Sequence, residues 1–161
     1  MLTIEQSVSG QAVVETHRLF EEYAASLGVD LCFQDFAREL ETLPGDYAPP
    51  AGRLLLARDD GEIAGCIALR PIDGQICEMK RLYVRPAFRG SGLGRLLVDR
   101  IISEARQAGY RQMRLDSLPS MVPAITLYRQ LGFRDIPSYG RNPVAGAVFL
   151  ELSLDPVLSD S

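Results

Sequence analysis

The chain has 161 residues, of which 47% are hydrophobic and 24% charged, and its formal net charge is −4. This length suits one domain with a proper core, and the acidic balance excludes the basic surface typical of nucleic-acid-binding proteins. No stretch approaches the roughly 20 apolar residues of a membrane span, and the first residues lack the basic and apolar regions of a leader peptide. We expect a single cytoplasmic domain over residues 1–161 that binds neither nucleic acid nor membrane, with 155–161 as a flexible tail.

The cysteine and histidine residues of the chain are few and lack the spacing of a metal site. Cys32, Cys66 and Cys77 are odd in number and lack the spacing of metal ligands, which predicts buried, reduced thiols. His17 is the only histidine and cannot form a multi-histidine site. We therefore expect no metal ion.

The first half of the chain predicts an edge strand, two helices and a three-stranded meander. Residues 2–8 alternate weakly, whereas 11–27 and 33–43 carry apolar residues at helical spacing. Proline and glycine mark 44–52 as a loop. The meander strands are joined by tight turns and are expected at 53–58, 63–70 and 76–84.

The second half predicts a strand–helix–strand crossover, then a further helix and two strands. An amphipathic helix at 92–108 separates strand 76–84 from strand 112–116, so these two strands should lie parallel. Ser120 can cap the next helix, and Pro123 suits its first turn. The last strands are expected at 133–136 and 147–154.

Strand 76–84 breaks the regular alternation of a β-strand. Met79, Leu82 and Val84 cannot share one face, because Met79 and Leu82 are three residues apart. One extra residue, a β-bulge, would bring all three to the same face. The pattern therefore predicts a bulge in this strand.

Residues 89–94 read Arg-Gly-Ser-Gly-Leu-Gly and open the helix at 92–108. Glycines leave backbone N–H groups uncovered, and the first N–H groups of a helix have no partner within it. With the helix dipole, such a turn favours a phosphate or pyrophosphate. A P-loop would need a Lys-Ser or Lys-Thr pair, and a dinucleotide-binding turn would need a third glycine where Arg95 stands.

The turn and its flanks resemble the GCN5-related N-acetyltransferase (GNAT) superfamily. Its acyl-CoA signature, Gln/Arg-x-x-Gly-x-Gly/Ala, matches residues 89–94, which follow the strand Met-Lys-Arg-Leu-Tyr-Val. Residues 124–133 are similar to its second hallmark, a helix ending in Leu-Tyr-x-x-x-Gly-Phe. The resemblance spans roughly residues 2–154 and implies an α/β fold. That fold is a mixed, mostly antiparallel twisted sheet with a central splayed parallel strand pair, flanked by about four helices.

The resemblance also implies acetyl-CoA as co-substrate. The glycine turn would wrap the CoA pyrophosphate, and the bulged strand would hold the pantetheine arm and the thioester carbonyl. The matching residues are Leu82, Tyr83, Val84, Arg89, Gly90, Ser91, Gly92, Leu93, Gly94 and Arg95. Where many family members carry an asparagine that contacts pantetheine, this chain has Met121, so Ser117 or Ser120 would have to substitute.

Acetyl transfer to an amine requires removal of the amine proton and favours a proton donor for the departing thiolate. By the resemblance, Tyr128 is the candidate donor near the CoA sulfur; the alternative is an aromatic residue that only fills the core. Asp116 and Glu78 match positions where different family members carry an acidic base. Water connected through backbone carbonyls is the third alternative.

The expected acceptor pocket is shaped by the first two helices, the loop with Tyr47, and the segment from Tyr139, where Arg141 and Asn142 could bind an acceptor carboxylate.

We expect acetyl transfer to the primary amine of a small molecule, by direct attack in a ternary complex. Cys77 lacks a histidine partner and so does not suit a covalent intermediate. The alternatives are a non-catalytic acyl-CoA-binding regulatory module and a protein or peptide N-acetyltransferase. In this family, exposed strands near the C-terminus leave room for a homodimer.

Overall fold

A computed structural model describes residues 1–27, 35–140, 142 and 144–154. Seven strands form one sheet in the order β1-β2-β3-β4-β5-β7-β6. The strands are β1 (Leu2–Gln6), β2 (Arg53–Asp59), β3 (Glu62–Pro71), β4 (Ile76–Val84), β5 (Gln112–Ser117), β6 (Arg134–Asp135) and β7 (Val148–Ser153). The helices are α1 (Gly10–Leu27), α2 (Phe36–Thr42), α3 (Leu93–Gln107) and α4 (Val122–Gln130).

This architecture confirms the predicted mixed, mostly antiparallel sheet. Strands β4 and β5 run parallel, and every other strand pair in the described part of the chain is antiparallel. The crossover through α3 is the reason for the parallel pair. Within the described ranges, no helix is long and apolar enough to cross a membrane.

The helix predicted over 33–43 is shorter in the described residues, because Asp35 has a left-handed φ of 56° and α2 begins at Phe36. Phe33 and Gln34 lie outside the described residues. The prediction that Ser120 caps α4 is wrong, because Met121 occupies the cap position and no side chain caps the helix. The backbone N–H of Met121 donates to Leu118 O at 3.0 Å, which places Ser120 inside a turn before the helix. Pro123 does lie in the first turn, as predicted.

The sheet buries an apolar core on each face. One core joins α3 and α4 to the sheet, with Leu97 and Ile101 fully buried against Leu115. The other joins α1 to the opposite face, with Leu19 and Phe20 at its centre. Alternating strand residues supply the two cores, as the period-2 geometry of a strand requires.

The predicted bulge in β4 is confirmed. Cys66 of β3 pairs with Tyr83 and Ala68 pairs with Lys80, so Arg81 and Leu82 together oppose Ile67. Arg81 has a φ of 63°, a left-handed conformation that costs energy for a residue other than glycine.

The bulge lies where β4 and β5 separate. They pair over Ile76–Glu78 and Gln112–Arg114, and both strands continue beyond that point. Met79, Leu82 and Val84 all pack into the core beneath α3, as the irregular alternation predicted. The central parallel pair is therefore splayed, as expected.

Arg81 also ties α2 to the bulge. Its guanidinium, on a residue only 4% exposed, donates from Nε and Nη2 to the two carboxylate oxygens of Glu39, both at 2.9 Å. It also lies 5.1 Å from the ring centre of Phe36. No residue of α2 is itself fully buried, so this ion pair is a principal attachment of the helix.

Substituting Glu39 should test that attachment. Glu39→Ala leaves the Arg81 guanidinium buried without its carboxylate, which should lower the free energy of unfolding by about 3 kcal/mol. Glu41→Ala, on an exposed position of the same helix, should change it by less than about 0.5 kcal/mol. Urea unfolding of both variants measures the difference, and equal losses would contradict the assignment.

Candidate active site

A groove of about 580 Å³ lies between the glycine turn, the bulged end of β4 and the start of α4. Most of the predicted cofactor residues line it, namely Leu82, Tyr83, Val84, Arg89, Gly90, Gly92, Leu93 and Gly94. The other two point elsewhere: the Ser91 hydroxyl donates to Phe88 O at 2.7 Å, and the Arg95 side chain is 59% exposed beside Asp99. Met121 also lines the groove, near the position expected for a pantetheine contact.

The glycine turn leaves the start of α3 uncovered. Gly90 and Gly92 have φ values of +84° and +85°, which side-chain-bearing residues rarely adopt, and Gly92 is the cap residue of α3. Arg89 folds back over the groove wall, where its Nε donates to Val84 O at 2.9 Å. Its guanidinium carbon lies 5.9 Å from the ring centre of Tyr83. The turn thus combines uncovered backbone donors with a nearby cation.

A narrow cavity of about 40 Å³ fills the splay between β4 and β5. Tyr23 and Leu82 line both this cavity and the groove. Lys80 and Asp116 line both this cavity and a third one on its far side. The splay cavity therefore lies between the other two spaces and shares lining residues with each, which makes it the junction of the cavities.

The third cavity, of about 480 Å³, is a polar pocket. Its walls come from β3, β4, β5, the segment before α2 and the loop between β6 and β7. Its lining includes the acidic residues Asp35, Asp46, Glu78 and Asp116 together with Arg70, Lys80 and Tyr139. Of the expected acceptor-side residues, Tyr139 lines this pocket. Asp46 of the loop with Tyr47 also lines it, whereas the Tyr47 ring is buried against Phe20. Arg141 lies outside the described residues.

Glu78 is held by several hydrogen bonds. It is 5% exposed, and its Oε1 accepts from Arg70 Nε and Nη2 at 2.9 and 2.8 Å. Its Oε2 accepts from the Tyr139 hydroxyl at 2.7 Å. Burial alone would raise the pKa of Glu78, but Lys80, Arg70 and the Tyr139 hydrogen bond together lower it. Glu78 is therefore a stabilised carboxylate and a weak base.

Asp116 is the less constrained of the two carboxylates. It is half-buried near the end of β5, and its Oδ2 accepts from Asn142 Nδ2 at 2.9 Å. The Oδ1 of Asn142 in turn accepts from the backbone N–H of Val144 at 3.1 Å. One loop thus supplies a hydrogen-bond donor to each candidate base, Tyr139 to Glu78 and Asn142 to Asp116.

Tyr128 lines the splay cavity from α4. It is 4% exposed, and its ring packs against Phe133 with 5.7 Å between the ring centres. Burial raises the pKa of Tyr128, so its hydroxyl keeps a proton at neutral pH. The tyrosine therefore fills part of the core and also faces the junction of the cavities.

Sequence reasoning missed Lys80 and Tyr23. Lys80 is 7% exposed, and burial together with Arg81 lowers its pKa to about 8, although Glu78 and Asp116 oppose that shift. The two-residue spacing from Glu78 could have indicated that Lys80 shares its face of β4. Tyr23 had no comparable signal, because α1 contacts the junction only through the tertiary fold.

The other reactive side chains lie apart from the junction. Cys66 and Cys77 are buried, and burial raises the pKa of the Cys77 thiol to about 12. Cys32 lies outside the described residues. His17 pairs with Glu21 on α1 at 3.3 Å. The described residues contain no group of metal-binding side chains close enough to hold an ion.

The sequence matches the acetyltransferase (GNAT) family over residues 16–133. The chain belongs to this family. An uncharacterized N-acetyltransferase of Schizosaccharomyces pombe is 44% identical over 138 residues, which cover 84% of this GNAT chain and 85% of the relative. The IAA acetyltransferase of Azospirillum brasilense is 38% identical over 120 residues, which cover 72% of this chain and 74% of that relative.

Solved structures share the GNAT fold. A Klebsiella pneumoniae protein assigned as an acyl-CoA N-acyltransferase aligns with a TM-score of 0.74 at 26% identity, over 96% of this chain and 99% of its own. A GNAT acetyltransferase of Elizabethkingia anophelis with acetyl-CoA bound aligns with a TM-score of 0.62 at 22% identity. The alignment covers 94% of this chain and 97% of that chain. The splayed parallel pair described above therefore belongs to a fold that this family shares.

Removing the Tyr139 hydroxyl should produce a pH-dependent loss of stability. Tyr139→Phe deletes a hydrogen bond to an ionised, buried carboxylate, which should cost about 2 kcal/mol at neutral pH. The pKa of Glu78 in the folded protein lies below its ordinary value. Its interactions therefore stabilise the fold fully above the ordinary pKa, and this stabilisation is lost as the pH falls through the folded pKa. The deficit of the variant should therefore shrink on acidification.

Tyr110→Phe is the matched control, because the Tyr110 hydroxyl donates to an uncharged carbonyl, Ala51 O, at 2.6 Å. Tyr110→Phe should lower the free energy of unfolding by about 1 kcal/mol, and this loss should be the same at acidic and neutral pH. Urea unfolding at neutral pH and near pH 4 compares the two variants. Equal pH dependence in both would contradict the role of Tyr139.

Proposed function

We propose that this GNAT protein transfers an acetyl group from acetyl-CoA to the primary amine of a small molecule, by direct attack in a ternary complex. The observation that carries the proposal is the junction of the cavities. The groove beside the glycine turn shares Tyr23 and Leu82 with the splay cavity, and the polar pocket shares Lys80 and Asp116 with it. A thioester entering from one side and an amine entering from the other would come together there.

The groove suits a long ligand with a phosphorylated end. The turn at Gly90–Gly92 and the start of α3 offer N–H donors to a pyrophosphate, and Arg89 adds a positive charge. Apolar residues of β4 and α4, such as Leu82 and Leu127, suit the pantetheine arm. The Elizabethkingia relative, which has acetyl-CoA bound in the same fold, supports this ligand.

We assign Asp116 as the general base. An amine with a lysine-like pKa of about 10.4 is neutral in only about one molecule in 2,500 at pH 7, so a proton must be removed before attack. Asp116 lines both the pocket and the splay, and a single side-chain donor of the described residues, Asn142, occupies one of its oxygens. Glu78 already accepts from Arg70 and Tyr139, and its lowered pKa makes it a poor base.

We assign Tyr128 as the proton donor to the departing CoA thiolate. Its raised pKa keeps the hydroxyl protonated, and α4 holds it at the wall of the splay. Backbone N–H groups of the bulged end of β4 would hold the thioester carbonyl. Each role lies within reach of the same narrow cavity.

The pocket favours a small acceptor over a protein. Its volume of about 480 Å³ lies within the range of ligand pockets, about 300–1,000 Å³, and residues from several elements line it. Its charged lining suits a polar amine rather than an apolar one. The regulatory alternative explains the groove, but it leaves this second pocket and its carboxylates without a role.

The first test is turnover of acetyl-CoA with amino acids, polyamines, aminoglycosides and short peptides, with the acetylated products read by mass spectrometry. The proposal predicts a product from a free amine in the panel. Peptides acetylated far faster than every free amine would favour the protein-directed alternative. Tight acetyl-CoA binding without any product would favour a regulatory module.

With a substrate in hand, Asp116→Asn should lower kcat by about 10²- to 10⁴-fold, the usual contribution of a general base. Its affinity for acetyl-CoA should stay within about twofold of wild type, because the groove is intact. Asp135→Asn, on exposed β6, is the control and should retain full activity. Undiminished kcat in Asp116→Asn would exclude this residue as the base.

Arg89→Ala should weaken acetyl-CoA binding by about 10- to 100-fold, because a charge-assisted hydrogen bond contributes about 1.5–3 kcal/mol. Arg134→Ala removes another exposed cation, on β6, and should have no effect on binding. Isothermal titration calorimetry of the two variants gives the comparison. Similar affinities would mean that Arg89 does not contact the phosphates.

A further inference from the structure

Lys80 is the only lysine among the 161 residues, and every other one of the 17 lysine and arginine residues is arginine. A guanidinium stays protonated in proteins and does not accept an acyl group, whereas a neutral lysine amine does. The amines of this chain are therefore the Lys80 side chain and the α-amine of Met1. One of them lies at the junction of the cavities, and the other belongs to an exposed residue.

The position of Lys80 matches that of an acceptor. Its residue lines both the polar pocket and the splay, directly before the bulge at Arg81–Leu82. In the proposed function, the acetyl thioester lies at this bulge and the acceptor amine reaches it from the pocket. A lysine amine at the shared wall of the two cavities approaches the thioester from the same side as the acceptor.

The surroundings of Lys80 keep part of its amine neutral. Burial and Arg81 lower its pKa to about 8, which leaves roughly one molecule in ten neutral at pH 7. This fraction is far above that of an ordinary lysine. The other charged or titratable groups of the surrounding cavities are Arg70 on β3, Glu78 on β4, Asp116 on β5, Tyr23 on α1, Tyr128 on α4, Tyr139 in the β6–β7 loop, and Asp35 and Asp46 around α2.

We infer that Lys80 is a self-acetylation site, modified by bound acetyl-CoA when the acceptor pocket is empty. The Lys80 nitrogen forms an amide bond to the acetyl carbon, the thioester C–S bond breaks, and the proton leaving the amine ends on the CoA sulfur. This inference rests on the proposed function, because it requires acetyl-CoA in the groove. The resulting amide removes the positive charge beside Glu78 and Asp116 and fills the junction, so it stops turnover.

The experiment incubates the full chain with acetyl-CoA and no acceptor and follows its intact mass, with a chymotryptic map to locate the modification. The expected result is one acetyl group on Lys80, formed about tenfold or more faster than any on Met1, because the bound thioester is held close to Lys80. The Met1 amine reports chemical acetylation by free acetyl-CoA. The Lys80 rate should saturate with acetyl-CoA concentration and rise between pH 7 and pH 9, since the neutral amine reacts.

Lys80→Arg keeps the positive charge and should bind acetyl-CoA without gaining the internal acetyl group. Binding of acetyl-CoA to the wild type is measured in parallel by calorimetry. Binding with no modification of Lys80, or with Lys80 modified no faster than Met1, overturns this inference and leaves the proposed function standing. Absence of acetyl-CoA binding overturns both.

Discussion

The separation of β4 from β5 is the constraint on which the rest of the structure depends. The two strands pair only as far as Glu78 and Arg114, and the bulge at Arg81–Leu82 then turns β4 away. Where the two strands separate, their backbone N–H and C=O groups no longer hydrogen-bond to each other, and such groups need other partners. The apolar cores on both faces fix the two strands in this arrangement, so the gap is held open by packing that lies outside it.

The charges around the gap follow from the same geometry. Glu78 and Lys80 share a face of β4, and Asp116 faces them from β5 across the splay. Arg70 and Tyr139 satisfy Glu78, whereas Asp116 takes its hydrogen bond from Asn142. The result is one strongly held carboxylate and one more accessible carboxylate beside a buried lysine, so the two carboxylates differ in chemistry.

Much of this arrangement was predictable because its signals are local. The broken alternation at Met79, Leu82 and Val84 predicted the bulge, since a strand can bring those residues together only with an extra residue. The crossover helix predicted the parallel pair. Ser120 was misassigned as a cap because the turn closed by Leu118 and Met121, with Pro119 at its second position, takes up Ser120 and moves the cap to Met121.

The sequence by itself determined the glycine turn, the element order and the family, because these depend on residues that are neighbours along the chain. Only the tertiary structure decided which carboxylate is free to act. The partners that distinguish Glu78 from Asp116 come from 61 and 26 residues away, in a loop whose path depends on how β7 pairs with β5. Burial, which sets the protonation of Lys80 and Tyr128, likewise arises only once distant elements pack together.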